Sequence, residues 1–410
     1  MKITNYDRSP QKTGLRWAIA SLALTVGLSL SVTPGYSQDA SDPSGGMQTL
    51  AGKKKHRKRQ TRPIMLGTSG SNVEDWTLSG NLIFCCRGTL GALVEKSGIQ
   101  YILSNNHVLG RSNSAKRGEA IIQPGLLDVG QSCPATDEEM DTVAHFTARK
   151  KIRFGFDKTN RVDMALAEVV PGAVRSDGKI LQIGVPGSTP MNAFVGLEVK
   201  KSGRTTGLTR GFVESVHNTV RIMDFPLECD GGQSRIARFE DQIFIRSINN
   251  KKFDNSGDSG SMVYEDVDNC PSPVGLLFAG GGGLTAINPA STVLKIAKKL
   301  KPRGKATFVG CESSAMQVSS SRAPILQEAR VREASAVKRE WQDHLLNLPN
   351  VQSLGVGLSL SGPVEPAIYI YTTGSREEIL EQLPEHLDGI PVEVIRTDKF
   401  VVRCGQDRSD

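Results

Sequence analysis

The sequence predicts a mainly β protein that ends in a small mixed α/β unit. Three observations carry this. Short runs of Val, Ile and Leu recur between Gly, Asn and Pro, the texture of many short strands joined by turns. Gly is frequent, at 42 of 410 residues, while aromatic residues make up only 5%, which favours turns over long helices. After about residue 295 the texture changes, and strong helix formers with charge pairs at helical spacing appear. A chain of this length can hold two or three cores.

The first 37 residues read as an export signal. Lys2, Arg8, Lys12 and Arg16 form a basic leader, followed by the apolar run Trp17–Val32, "WAIASLALTVGLSLSV". Pro34 breaks the run, and Gly35-Tyr36-Ser37 offers small residues where a signal peptidase reads. The run is shorter than the ~20 residues of a spanning helix, which argues against a membrane anchor. No later stretch is apolar enough to span. The expected location is secreted or periplasmic.

Residues 38–63 read as a linker or pro-segment, ending in "KKKHRKRQTR" from Lys53 to Arg62. That stretch holds seven Lys or Arg and no acid, so the formal charge of +7 is local. Without it and the leader, the remainder carries about −3 by the same count. Such a run is expected to be solvated and open to nicking. It leaves only a weak opening for nucleic acid or other anionic surfaces, and no nucleic-acid partner is expected.

Residues 64–300 carry the strand texture. Leu90–Val94 and Gln100–Leu103 flank Lys96-Ser97-Gly98, a hairpin signal. Further strands are expected at Thr142–Phe146, Met164–Val169, Glu198–Lys201, Gly211–Val216, Asp241–Ile245, Ser261–Tyr264 and Pro273–Ala279. So many short strands argue for a sandwich or barrels. Lys295–Lys301 reads as helical, and residues 301–325 as a linker. The unit 326–410 opens with a helix over Gln327–Asn347 and continues as two strands, a short helix and a strand.

The seven cysteines are Cys85, Cys86, Cys133, Cys229, Cys270, Cys311 and Cys404. Export permits disulfides. The odd number leaves at least one thiol over or bonded between chains, and the pairing stays open. No spacing resembles a zinc site. Neither metal nor cofactor is expected.

Three motifs stand in order. "YILSNNHVLG" presents His107, "NRVDMALAEV" presents Asp163 at the entry to an apolar run, and "SGDSGS" presents Ser259. A serine hydroxyl needs a base to become nucleophilic at neutral pH. Histidine, with a reference pKa of ~6.5, can take the proton and return it to a leaving group. A buried carboxylate fixes the imidazole tautomer and stabilises the imidazolium. Glycines beside the serine let the amides of Gly257 and Ser259 aim at one developing oxyanion. Each motif alone has a bland reading: a packed histidine, a structural aspartate, a turn. All three would have to be accidental together.

These motifs resemble those of the chymotrypsin/trypsin-like serine peptidases, over about residues 64–300. "LSNNHVL", "VDMALAEV" and "GDSGS" are similar to the family's His, Asp and Ser motifs. The nearest flavour is bacterial and secreted, including Narrow-leaf-like peptidases. The resemblance implies two packed six-stranded antiparallel β-barrels, about 64–175 and 176–300, with the site between them. It implies His107 as general base, Asp163 as its orienter, Ser259 as nucleophile, and Gly257 and Ser259 as oxyanion donors. "SGRTTG" within Lys200–Gly211 resembles a segment of bacterial members whose arginine pairs with the acid before the nucleophile, which implies an Arg204–Asp258 pair. At the specificity position six residues before the serine stands Phe253, not an acid. With "LLFAGGGG" as the far wall, the expected pocket is apolar or shallow, formed by Phe253, Phe278, Ala279 and Gly280.

Two function classes are consistent with these features. One is an exported serine endopeptidase acting on polypeptides. The other is a binding protein on a peptidase scaffold, with little turnover, that recruits a partner through its C-terminal unit or basic tail.

Overall fold

Runs of β-branched residues punctuated by glycine become strands over most of the chain. The computed structural model describes residues 55–410, except 130–132, 135, 230–231, 249–250, 313–324, 362, 403–404 and 409–410. The expected export segment, residues 38–54 of the first linker, residues 313–324 of the second and Cys404 lie outside the described residues.

The first strands are β1 (Thr68–Asn72), β2 (Trp76–Ser79), β3 (Leu82–Leu90), β4 (Ala92–Lys96), β5 (Ile99–Ser104), β6 (Ala120–Ile122), β7 (Thr142–Arg149), β8 (Thr159–Asn160) and β9 (Ala165–Val169). Antiparallel pairings run β1–β6–β7–β9–β5–β4, and β3 pairs back onto β1. The strand β3 passes into β4 through Gly91, whose N–H donates to the Leu103 carbonyl at 3.0 Å. A Cβ at Gly91 would lie 2.0 Å from the Gly260 carbonyl oxygen, so only glycine fits where the two halves of the molecule touch.

The second half holds β10 (Glu198–Gly203), β11 (Gly207–Pro226), β12 (Ser234–Ser247), β13 (Met262–Glu265), β14 (Pro273–Gly281) and β15 (Leu284–Pro289). Here antiparallel pairings run in a cycle: β11 to β10, β13, β14, β15, β12 and back to β11. The 20-residue β11 bends at several register shifts as it spans this cycle. The helix Ala290–Ala297 comes next, and β16 (Ala306–Phe308) returns to pair with β4. Lys96 Nζ donates to the Ala297 and Leu300 carbonyls (2.7 and 2.6 Å), satisfying the helix's open C-terminal end.

The C-terminal part has the helix Glu328–Asn347, β17 (Val351–Leu358), β18 (Pro366–Thr372), the helix Arg376–Leu380, β19 (His386–Leu387), β20 (Ile390–Arg396), β21 (Val401–Val402) and β22 (Gly405–Arg408). The expected helix, two strands, helix and strand are present, with β19, β21 and β22 in addition. The strand β17 pairs with β11 in one continuous sheet. Tyr369, Tyr371 and Phe400 share a buried cluster with Phe225, Phe239, Phe244 and Phe278. Among the described residues the two sheets hold ten and twelve strands, because β2, β16 and β22 extend the first and β8 and β17–β21 the second.

Where it is described, the basic stretch keeps Lys55, Arg57, Lys58, Arg59 and Arg62 exposed, as expected, but it is also docked at several points. His56 is buried, with Nε2 at 2.8 Å from Ser202 Oγ. Arg59 pairs with Asp141 at 2.7 Å, and Arg62 donates to the carbonyls of Glu139, Met140 and Thr142. Backbone acceptors and a buried acid disperse the like-charge repulsion that composition alone suggested. Six cysteines pair as Cys85–Cys133, Cys86–Cys229 and Cys270–Cys311.

Candidate active site

The strand β5 ends at Ser104, and one helical turn, Asn106–Leu109, sets His107 at its start. Asp163 stands just before β9 and is fully buried. Its Oδ2 meets His107 Nδ1, and its Oδ1 accepts the amides of Asn106 (2.7 Å) and His107 (3.2 Å). The two asparagines before the histidine build this seat. Asn105 Nδ2 donates to the Asp163 carbonyl at 2.8 Å, and Asn106 Nδ2 to Asn113 Oδ1 and the Lys150 carbonyl. From the other side, Asn288 Oδ1 accepts the Asp163 amide at 3.0 Å. The ring stands edge-on to Phe225, centroids 6.0 Å apart. His107 Nε2 is buried and has no hydrogen-bond partner among the described residues.

Ser259 lies in the loop between β12 and β13, framed by Gly257 (φ +94°) and Gly260 (φ +91°). Both angles are in the left-handed region that side chains resist. A Cβ on Gly260 would sit 2.0 Å from Ser104 Oγ and 2.3 Å from the Thr89 carbonyl oxygen, so the loop is pressed against the histidine-bearing half. The Ser259 carbonyl accepts Thr89 N–H at 2.8 Å. A Cβ at Gly88 would meet both a Val108 methyl (2.5 Å) and the Ser259 carbonyl oxygen (3.1 Å). The serine and the histidine's neighbour thus converge on one point. Ser259 Oγ itself donates to the Phe278 carbonyl at 3.2 Å. Among the described residues, the amides of Gly257 and Ser259 have no acceptor.

The expected Arg204–Asp258 pair is not formed. Arg204 makes a two-pronged pair with Asp128, Nε to Oδ2 at 2.5 Å and Nη2 to Oδ1 at 2.6 Å. Asp258 is filled by other donors: the amides of Thr205 (2.8 Å) and Asn255 (2.9 Å), and Thr206 Oγ1 (2.7 Å). Its nearest cation is Lys201, at 3.5 Å and fully buried. Backbone donors reach a short loop carboxylate more cheaply than a second buried guanidinium does, and Arg204 turns instead to the turn at Leu126–Asp128.

A cavity of about 330 Å³ opens beside this loop. Phe253, Asp254, Asn255 and Gly280–Gly283 line it, together with Asp398, Lys399 and Val401 from the C-terminus. Of the expected pocket residues, Phe253 and Gly280 reach its wall. Phe278 and Ala279 are instead buried in the aromatic cluster. Asp254, which the sequence motifs do not single out, brings a carboxylate to the wall and accepts Thr285 Oγ1. Its signal was visible: an acid five residues before the serine, next to the specificity position. Asp75 was also missed. It lines a small void with His107 and Glu228, and burial pushes its carboxyl up to about 8, with Arg111 opposing and Glu119 adding.

Fold and site together define a mainly β protein with a carboxylate-gripped histidine and a serine framed by glycines. A family model described as "Nal1 C-terminal domain" matches residues 154–301. No curated protein matches the chain. Among solved structures it is similar to Protease A of Thermobifida fusca, with 16% identity over 60% of this chain and 99% of that one and a TM-score of 0.36. It is similar to a Nocardiopsis protease at 14% identity, over 58% and 97%, with a TM-score of 0.35. It is also similar to a chymotrypsin of Cellulomonas bogoriensis at 18% identity, over 56% and 96%, with a TM-score of 0.32.

Proposed function

We propose that the chain is an exported serine endopeptidase of chymotrypsin-like fold. The cycle β10–β15 is one of its two six-stranded barrels, the β1–β9 sheet in which β3 runs on into β4 is the other, and the reacting groups lie where Gly91 meets Gly260. The observation that carries this reading is the double grip of Asp163 on His107, with the Ser259 loop packed against the same strand ends.

The chemistry comes from the parts. Ser259 Oγ turns from the Phe278 carbonyl to His107 Nε2 and attacks a peptide carbonyl. Its proton passes to Nε2, and the oxyanion is met by the Gly257 and Ser259 amides. Collapse breaks the C–N bond, and the imidazolium gives its proton to the leaving amine. Water, activated by the same imidazole, then hydrolyses the acyl ester and frees the serine. Asp163 holds the tautomer throughout. Three disulfides fit an oxidising compartment outside the cytosol.

The test is covalent labelling by a fluorescent fluorophosphonate under prolonged incubation, together with hydrolysis of a peptide library. Labelling is expected at Ser259 and lost in Ser259→Ala and His107→Ala. If neither the full chain nor a variant with its C-terminal segment displaced is labelled, the peptidase reading fails and the binding-protein reading replaces it.

A further inference from the structure

The edge of β14 beside Ser259 is already taken. One side of β14 pairs with β15 from Gly275 to Gly281. On the other side β13 pairs only as far as Leu276, and the serine loop adds Gly260 N–H to the Leu277 carbonyl and Leu277 N–H to the Ser261 carbonyl. Beyond that point Ala279 and Gly280 face β21, with Val402 opposite Ala279 and Val401 opposite Gly280. The pairing is antiparallel, so the segment runs toward Phe278, whose carbonyl holds the Ser259 hydroxyl. Three residues past Val402, the chain pairs again. Gly405 lies opposite Arg87, Gln406 opposite Cys86, Asp407 opposite Cys85 and Arg408 opposite Phe84, all on β3. Arg87 adjoins Gly88 and Thr89, which contact the Ser259 carbonyl. One C-terminal segment therefore forms a ladder on each flank of the serine.

The segment is anchored before it arrives. Phe400 is buried and stacks on Phe244, centroids 4.8 Å apart. The absence of Cβ atoms at Gly281 and Gly282 makes room for the Lys399 carbonyl and Thr397 Oγ1, which would otherwise lie 2.4 and 2.3 Å away. Ser259 is 0% and His107 3% exposed. Adding an extended strand to a sheet edge is how clefts commonly take peptides.

We infer that residues 400–402 and Gly405–Arg408 are an intramolecular occupant of the peptide cleft, one strand on each flank of Ser259, closing it to outside polypeptides. Displacing this segment opens the cleft. The inference rests on the proposed serine chemistry only for its labelling arm.

The test uses the full chain carrying Val401→Pro and Val402→Pro. Facing pairs in an antiparallel ladder alternate between hydrogen-bonded and not, so one of these residues supplies the ladder N–H that proline lacks. A second variant, ending at Val402, keeps Phe400 and loses β22 with its flanking residues 403–404 and 409–410. In either variant, fluorophosphonate labelling is expected to speed up by about tenfold or more, because the unmodified site is free only a small fraction of the time. Equal rates in variants and full chain overturn the inference while leaving the peptidase reading intact. An arm without catalysis uses a fluorescent peptide of residues 399–410 with Cys404→Ser, added to Ser259→Ala forms. It should bind the proline variant about tenfold more tightly than the full chain, by the same occupancy argument. Equal binding, or none to either form, overturns the inference. Discriminating binding without labelling of any form upholds it and removes the peptidase reading instead.

Discussion

Asp163 holds His107 at two points: its Oδ2 meets the ring Nδ1, and its Oδ1 accepts the amide of the same residue at 3.2 Å. The grip fixes ring and backbone together, so the imidazole cannot present the wrong nitrogen without breaking a buried contact. Asp163→Asn keeps the shape but offers Nδ1 an amide in place of a carboxylate. The rate at which a fluorophosphonate phosphonylates Ser259 in a tail-displaced form should fall on the order of 10⁴-fold. Labelling kinetics measure it, and a drop under tenfold would remove Asp163 from its proposed role.

Arg204 and Asp128 form a nearly buried pair, with side chains 3% and 8% exposed. Removing either partner leaves an uncompensated charge, at a cost of about 3–5 kcal/mol. Arg204→Ala and Asp128→Ala should each lose that much in urea unfolding, and the double variant little more than one alone. Simple additivity in the double variant would show that the pair is not coupled.

Asp75 gives a pH signature. Its carboxyl is raised from 3.8 to about 8, chiefly by burial. Between those values the folded chain holds a proton that the unfolded chain gives up. This contribution is fully present below about pH 4 and is lost as pH rises through about 8, with a slope up to about 1.4 kcal/mol per pH unit. Asp75→Asn should flatten the decline in that window. Denaturant titrations at pH 5, 6, 7 and 8 check this, and an unchanged slope would contradict it.

The mainly β character was legible because local patterns set it, and the same patterns pointed to the proposed site residues. His107, Asp163 and Ser259 each stand next to an apolar run that becomes or follows a strand, so their seats could be read from a few letters. The illegible parts depend on distant partners. Arg204 finds Asp128, 76 residues away, and nothing near either residue signals the match. The strand β1 is Thr68–Asn72, "TSGSN", which reads as turn material. It is a fully buried strand because its polar side chains find partners, as Ser69 Oγ does on Asp128 at 2.6 Å and Asn72 Nδ2 on the Leu109 carbonyl at 2.9 Å. The described Lys and Arg of the basic run are exposed as their charge predicts, yet His56 is buried against Ser202. Two-residue β21 carries no periodicity at all.

The C-terminal part offers a last prediction, because it is structural. Tyr371 is buried and its hydroxyl lies 2.7 Å from Ser215 Oγ on β11. Lys338, buried with its amine lowered to about 8, donates to the His217 carbonyl at 2.8 Å and to Thr219 Oγ1 at 3.1 Å. Residues 215–220 of β11 have β17 on their outer edge. Ending the chain at residue 312 would strip that edge and expose Phe244, from which Tyr371 and Phe400 would be gone. Losing one such aromatic from a core costs about 3–5 kcal/mol, and two exceed much of a domain's usual stability. The truncated chain should therefore be aggregated or dye-binding, without cooperative melting, while the full chain melts as one unit. A soluble, cooperatively melting truncation would instead mean that residues 64–300 fold alone and that the shared sheet is only a docking contact.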